Sequence, residues 1–131
     1  MPTFRSLLYL LYSISVLPAS LYDVTVESSS RKTITGQTVG YELYYPNAVA
    51  SSERRFPAVV LTHGFGRKPS FHKSNARYMA ERGIVVMTPE MTSLRGTKGK
   101  DLNIANTVDH VRWLVERSRT SGDALFGLID P

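Results

Sequence analysis

Apolar and polar positions alternate twice near the amino end. Residues 22–27 (YDVTVE) and 38–45 (TVGYELYY) place an apolar side chain at every second position, the pattern of a strand with one buried face. A polar connector with turn residues, 28–36, joins them, and the second run stops at Pro46-Asn47. The two read as an antiparallel pair at a sheet edge. A surface loop over 47–55 leads to two shorter runs of a different kind, 58–62 (AVVLT) and 84–88 (IVVMT). Each is short, nearly unbroken and rich in β-branched residues, which predicts strands buried on both faces of a parallel sheet. Pro57 cannot donate to a ladder and suits a strand's first residue.

Between and after these runs the period changes to that of a helix. A helix is predicted over 70–82, capped by Ser70, with Phe71, Tyr78 and Met79 on one face and Gly83 as its stop. Strand, helix and strand then make a right-handed crossover. A loop rich in Gly, Lys and Arg is expected over 92–100. Asp101 or Asn103 caps a second helix that runs to about Ser118. Its apolar face is read as Ile104, Val108, Val111 and Val115 with Leu114 beside them. Asp109, His110, Arg112 and Glu116 take the opposite face, and Trp113 flanks the sheet margin. A final apolar segment, 124–129 (ALFGLI), follows the break at Ser121-Gly122-Asp123.

Composition narrows the classes of function. At 131 residues the chain is one domain at most, and a 42% hydrophobic fraction is ordinary for a globular protein. Sixteen Lys and Arg against 11 Asp and Glu give a net charge of +5. The basic residues are scattered, without an aromatic-interleaved stripe, so no nucleic-acid partner is expected. The absence of cysteine removes disulfides, thiol nucleophiles and zinc-thiolate sites. Arg5, the apolar stretch 6–17 and Pro18-Ala19-Ser20 together resemble a secretory signal peptide, cleaved after Ala19 or Ser20. That stretch is shorter than the roughly 20 residues a bilayer span needs, so no stable membrane span is expected. Secretion is the expectation, or membrane tethering if the segment is retained.

The stretch that carries chemistry is 56–66, FPAVVLTHGFG. The strand within it delivers His63-Gly64-Phe65-Gly66 to the carboxyl edge of the sheet, where open α/β sheets bind ligands. Its glycines let backbone N–H groups come close to a substrate, so the turn can offer an N–H to an oxyanion. The same residues also fit a plain strand-to-helix turn. Other chemistries find less support. His63, His72 and Glu90 could share the carboxyl edge, but their spacing specifies no metal site. His72 is expected in solvent, and Asp109 with His110 as an exposed pair. The run Gly64 to Pro69 imitates a dinucleotide fingerprint with Pro69 in the third glycine's place, which disfavours a nicotinamide cofactor. No cofactor or metal is expected.

In this order the pieces resemble the amino-terminal part of an α/β-hydrolase, most closely the dienelactone hydrolase, chlorophyllase and cutinase-like polyester hydrolase branch. Four features over about 22–131 carry the resemblance. They are PAVVLTHGFG, the helix-to-strand join 78–86 (YMAERGIVV), the segment 103–115 with its Trp113-Leu114 pair, and the closing LIDP at 128–131. The resemblance implies an α/β fold with a mixed sheet in the order 1-2-4-3, an antiparallel edge pair followed by a parallel pair, and a helix on each face. With the amino end read as a signal peptide over 1–20, the resemblance implies a partial hydrolase domain over 21–131. It also implies a serine carboxylester hydrolase acting on small esters through an acyl-enzyme. Phe65 would give one oxyanion N–H and line the pocket with its ring, supported by His63, Gly64 and Gly66. The family's nucleophile sits in a G-x-S-x-G elbow, with acid and base further on. No G-x-S-x-G occurs in this sequence, so the chain is expected to stop short of its nucleophile and to be inactive as it stands. A non-catalytic secreted binding or interaction protein derived from half a hydrolase is the alternative. The strand 56–62, with Phe56 and Thr62 at its ends, is expected at an open edge, where self-association can occur.

Overall fold

The computed structural model describes residues 21–48, 54–64, 67–92 and 95–130. The apolar segment 6–17, Ala19 and Ser20 therefore lie outside the described residues, as do Phe65, Gly66 and Pro131. Among the described residues the chain forms strands β1 (Val24–Lys32), β2 (Thr38–Pro46), β3 (Ala58–Val60) and β4 (Val85–Pro89), and helices α1 (Lys73–Ala80) and α2 (Gly96–Arg119). A 3-10 turn, Pro69–His72, leads into α1. The strands make one mixed sheet in the order β1-β2-β4-β3. β1 and β2 are antiparallel, as are β2 and β4, while β3 and β4 are parallel. This is the expected α/β architecture and strand order.

Alternation along the inner strands sets the two layers. On β4, Val85 and Met87 face one way, into a cluster with Tyr41, Leu43, Phe56, Leu114, Leu125, Leu128 and Ile129. Val86 faces the other way, onto Tyr44 and the alanines of α1, Ala76 and Ala80. Because a strand's side chains alternate across the sheet, α1 and α2 lie on opposite faces. The larger core sits under α2.

Several elements depart from their sequence pattern. β1 runs on through Ser28, Ser29, Ser30, Arg31 and Lys32, which read as connector. It is an edge strand held by backbone pairing to β2 from Val24↔Pro46 to Lys32↔Thr38, so it needs little apolar side chain. The hairpin closes over three residues. Thr33 N–H reaches Gln37 O at 2.8 Å, and Gly36 takes φ +83. A type I turn followed by a left-handed residue is a standard way to close such a hairpin, and glycine adopts that φ without strain. β3 is shorter than the predicted 58–62; it lies at the sheet edge as expected, but it is only half-buried rather than buried on both faces.

The helices are corrected too. Lys68, not Ser70, is the residue before the first turn, with Pro69 inside it. Phe71 and Tyr78 face solvent, and Ala76 and Ala80 pack α1 on the sheet. Gly83 ends this unit at φ +86, where a Cβ would come within 3.1 Å of the Phe56 ring. α2 begins at Gly96, so neither Asp101 nor Asn103 caps it, and half of the expected loop is helix. Asn103 instead accepts the Thr92 N–H through Oδ1 at 2.9 Å. The buried face of α2 is shifted as well: Asn106, His110, Leu114 and Ser118 are buried, while Ile104, Val108 and Val111 are exposed, and Arg112 and Glu116 face solvent as expected. Trp113 stands at the margin as expected, edge-on to Tyr41 with centroids 5.2 Å apart.

Candidate functional site

β3 and β4 run parallel, so their carboxyl ends open on the same edge of the sheet. His63 and Gly64 follow β3 there, and Met91 follows β4. The imidazole of His63 straps the two together. Met91 N–H donates to Nε2 at 3.1 Å, and Nδ1 lies 3.0 Å from Gly64 O. A nitrogen that accepts from an N–H carries no proton, so the proton sits on Nδ1 and is donated to Gly64 O. Both ring nitrogens are thereby used on backbone groups. His63 is not placed to act as a general base, because neither nitrogen is left to meet a hydroxyl. Its role is to hold the shape of the turn. Among the described residues a Cβ at Gly64 would meet nothing within 4 Å. Phe65, the expected oxyanion donor, and Gly66 come next in sequence, outside the described residues.

Beside the turn lies an open pocket of about 550 Å³, lined among others by His63, Arg67, Lys68, Ser70, Glu42 and Glu90. Both charge signs are present. Glu42 is engaged by the Tyr44 hydroxyl at 2.6 Å. Burial in the first place, and then this carboxylate, push the Tyr44 hydroxyl far above its ordinary range, so it stays a donor. Glu90 ties β4 to β2 through its N–H to Gly40 O at 2.8 Å, and its carboxylate lies over Gly40. His63 and Glu90 thus share a pocket as the sequence allowed. Among the described residues, however, no group of three His, Cys, Asp or Glu is placed to hold a metal.

The other two histidines differ from expectation. His72, expected in solvent, has its Nε2 buried without a hydrogen-bond partner among the described residues. His110 is 1% exposed. Arg31 Nη1 donates to its Nδ1 at 2.9 Å and pairs with Asp109 Oδ2 at 2.9 Å. Burial first, and then the guanidinium, hold His110 down to about 4, against the opposing pull of Asp109. It is a neutral structural side chain, not half of an exposed pair.

One residue that the pattern did not mark organises this face. Arg117 donates to both oxygens of Glu27 at 2.9 and 3.0 Å and through Nε to Asp123 at 2.9 Å. It also stands over the Trp113 ring at 5.0 Å. A sign of it was available, since Glu27, Arg117 and Asp123 each interrupt or border an otherwise regular element. Nothing local, though, says that residues 90 apart meet.

The sequence matches no family model and no curated protein. Solved structures do match its fold. One is a brefeldin A esterase, a bacterial homologue of human hormone sensitive lipase, with a TM-score of 0.58 and 19% identity over 89% of this chain and 34% of that one. Another is a hypothetical protein from Pseudomonas aeruginosa, with a TM-score of 0.58 and 22% identity over 84% of this chain and 34% of its own. The chain spans about a third of the length of each. At such identities the likeness is one of fold, and the four-stranded sheet with its two helices has the fold of about one third of an α/β-hydrolase.

Proposed function

We propose that this chain is the oxyanion-turn part of a secreted serine carboxylester hydrolase. The observation that carries the reading is the His63-Gly64 turn. It leaves the carboxyl end of β3 in a hydrolase-type sheet and is held by one imidazole to the segment after β4. In such an enzyme a serine oxygen attacks the ester carbonyl carbon, a base takes the serine proton, and the carbonyl oxygen becomes an oxyanion. The Phe65 N–H donates to that oxygen, and the Phe65 ring lines the pocket for a small ester. The nucleophile, acid and base belong to the remainder of the complete enzyme, since this sequence holds no G-x-S-x-G. The segment 1–20 directs export.

Two measurements test the reading. The 131-residue chain, treated with a fluorophosphonate probe and a p-nitrophenyl ester, should show no labelled serine and no turnover above background. In a complete enzyme containing this segment, Phe65→Pro removes the N–H and should lower kcat by about 10²- to 10³-fold, the usual loss of one oxyanion donor. Phe65→Ala keeps the N–H and should cost much less. A labelled serine in the chain alone, or equal losses in the two variants, would overturn the assignment.

A further inference from the structure

Helix α1 has an outward surface that the His63-Gly64 turn does not use. Ala76 and Ala80 seat the helix on Tyr44 of β2 and Val86 of β4. Tyr78 falls midway between the two alanines in sequence, so its side chain leaves the helix on the opposite side and is 57% exposed. Phe71, 63% exposed, stands seven residues earlier, two turns back along the same line. Because α1 lies over β2 and β4, strands added to the sheet beyond β3 would run beside it and leave this face uncovered.

Between 67 and 82 five cations, Arg67, Lys68, Lys73, Arg77 and Arg82, stand against one acid, Glu81, and supply most of the chain's net charge of +5. All five are exposed. The sequence shows no basic stripe interleaved with rings, but the fold sets two exposed rings among these cations. The guanidinium of Arg67 lies over Phe71, 5.8 Å from the ring centre, and that of Arg82 over Tyr78 at 3.5 Å. The Glu81 carboxylate reaches Arg82 at 3.8 Å. Among the described residues no carboxylate pairs with Arg67, Lys68, Lys73 or Arg77. Such a surface is complementary to a partner with many negative charges.

We propose that this face docks on an anionic lipid surface. Two features favour a bilayer over a nucleic acid or an acidic protein. Phe71 and Tyr78 project from the convex side of a helix, which suits the planar headgroup layer where aromatic rings settle, and the cations beside them meet lipid phosphates. The apolar segment 6–17 also joins the fold at this helix, because Tyr22 N–H donates to Glu81 O at 2.8 Å, next to Arg82. In a chain that keeps that segment, an apolar stretch too short to span and a basic face lie at one helix end. Those are the two signals that together hold a protein stably at a bilayer. A nucleic acid would engage the cations and leave the apolar segment without a role. The proposal does not depend on the esterase reading and is tested without any activity measurement.

The full chain should co-sediment with vesicles of phosphatidylcholine containing about a quarter phosphatidylserine, and bind pure phosphatidylcholine vesicles much more weakly. High salt should remove the difference between the two. Lys73→Gln combined with Arg77→Gln should lower partitioning onto the anionic vesicles about 25-fold, about fivefold for each cation, and leave the neutral vesicles unaffected. Phe71→Ser should weaken the anionic binding further. Each change is at an exposed side chain, so far-UV circular dichroism should match that of the unaltered chain. Equal binding to both vesicle types, unmoved by the Lys73 and Arg77 changes, would assign attachment to segment 6–17 alone and overturn the proposal. Binding to neither vesicle type overturns it as well, and an oligonucleotide bound in their place would make this a nucleic-acid surface.

Discussion

Single residues set the margins of this fold, and two of them can be tested directly. Gly83 holds φ +86, a conformation that costs other residues about 1–2 kcal/mol, and its Cα faces the Phe56 ring. Gly83→Ala would also crowd that ring, a core side chain with little room to give, since the new Cβ would lie 3.1 Å from it. The expected loss is about 2–3 kcal/mol in urea unfolding. A loss below about 0.5 kcal/mol would mean that the turn relaxes freely. His110 makes a prediction about pH. Its burial and the Arg31 guanidinium lower it to about 4 in the folded chain, against about 6.5 unfolded. Between those values the unfolded chain binds more protons, so stability is full above about 6.5 and falls as the pH drops towards 4. At pH 4.5 the loss should reach about 2–3 kcal/mol relative to pH 7.5. Asp123 acts in a separate window. Burial pushes its carboxyl up, but the Arg117 hydrogen bonds and the Leu125 N–H hold it below its ordinary 3.8, so its contribution fades only under more acid conditions. His110→Gln should flatten the profile between pH 6.5 and 4.5. Parallel profiles for the two chains would exclude His110 as the source.

At the scale of elements, the sequence showed what kind each segment is better than which way it faces. β2 and β4 were readable because both are interior strands, and burial forces their side chains to declare a period. The second half of β1 was not, because an edge strand held by its ladder tolerates serines on both sides. In α2 the period was right and the orientation wrong. Helical spacing groups Ile104, Val108, Val111 and Val115, but the sheet takes the neighbouring line of Asn106, His110, Leu114 and Ser118. That choice is explained by distant partners. Asn106 meets Gln37 and Thr35 from the hairpin, at 2.9 and 2.8 Å, and His110 meets Arg31. Buried polar atoms with partners are tolerated, and Asn106 and His110 Nδ1 have them here, while the apolar line stays exposed. The site divides in the same way. The position of His63-Gly64 at the carboxyl edge followed from strand and glycine signals. The strap to Met91, 28 residues on, depends on how β3 and β4 align.

The parts act as one body through Arg117. Its guanidinium joins β1 at Glu27, α2 at its own backbone and the closing turn at Asp123, whose carboxylate also accepts the Leu125 N–H at 2.8 Å. That turn seats Leu125, Leu128 and Ile129 in the larger core and lays residues 128–130 along Phe56. The charges are little exposed, at 14% for Arg117 and 19% for Asp123, so water does little to screen them. Burial alone would push the Arg117 guanidinium down, yet Asp123 and Glu27 outweigh it and raise it further. Removing the cation while keeping its bulk would leave two little-exposed carboxylates without their counter-charge, held only by the Leu125 N–H and the Tyr41 hydroxyl. Arg117→Met should therefore cost about 3 kcal/mol, within the range for breaking a buried pair from one side. The loss should not be uniform. The closing segment is a run of turns outside the regular sheet ladder, so the Phe56 and Asp130 amides should lose hydrogen-exchange protection before the β2–β4 amides do. The double variant Arg117→Met, Glu27→Gln removes one of the orphaned charges and should recover part of the loss. If Arg117→Met instead weakened every amide to the same extent, the closing segment would be an integral part of the sheet's cooperative unit rather than a flap held down by one ion network.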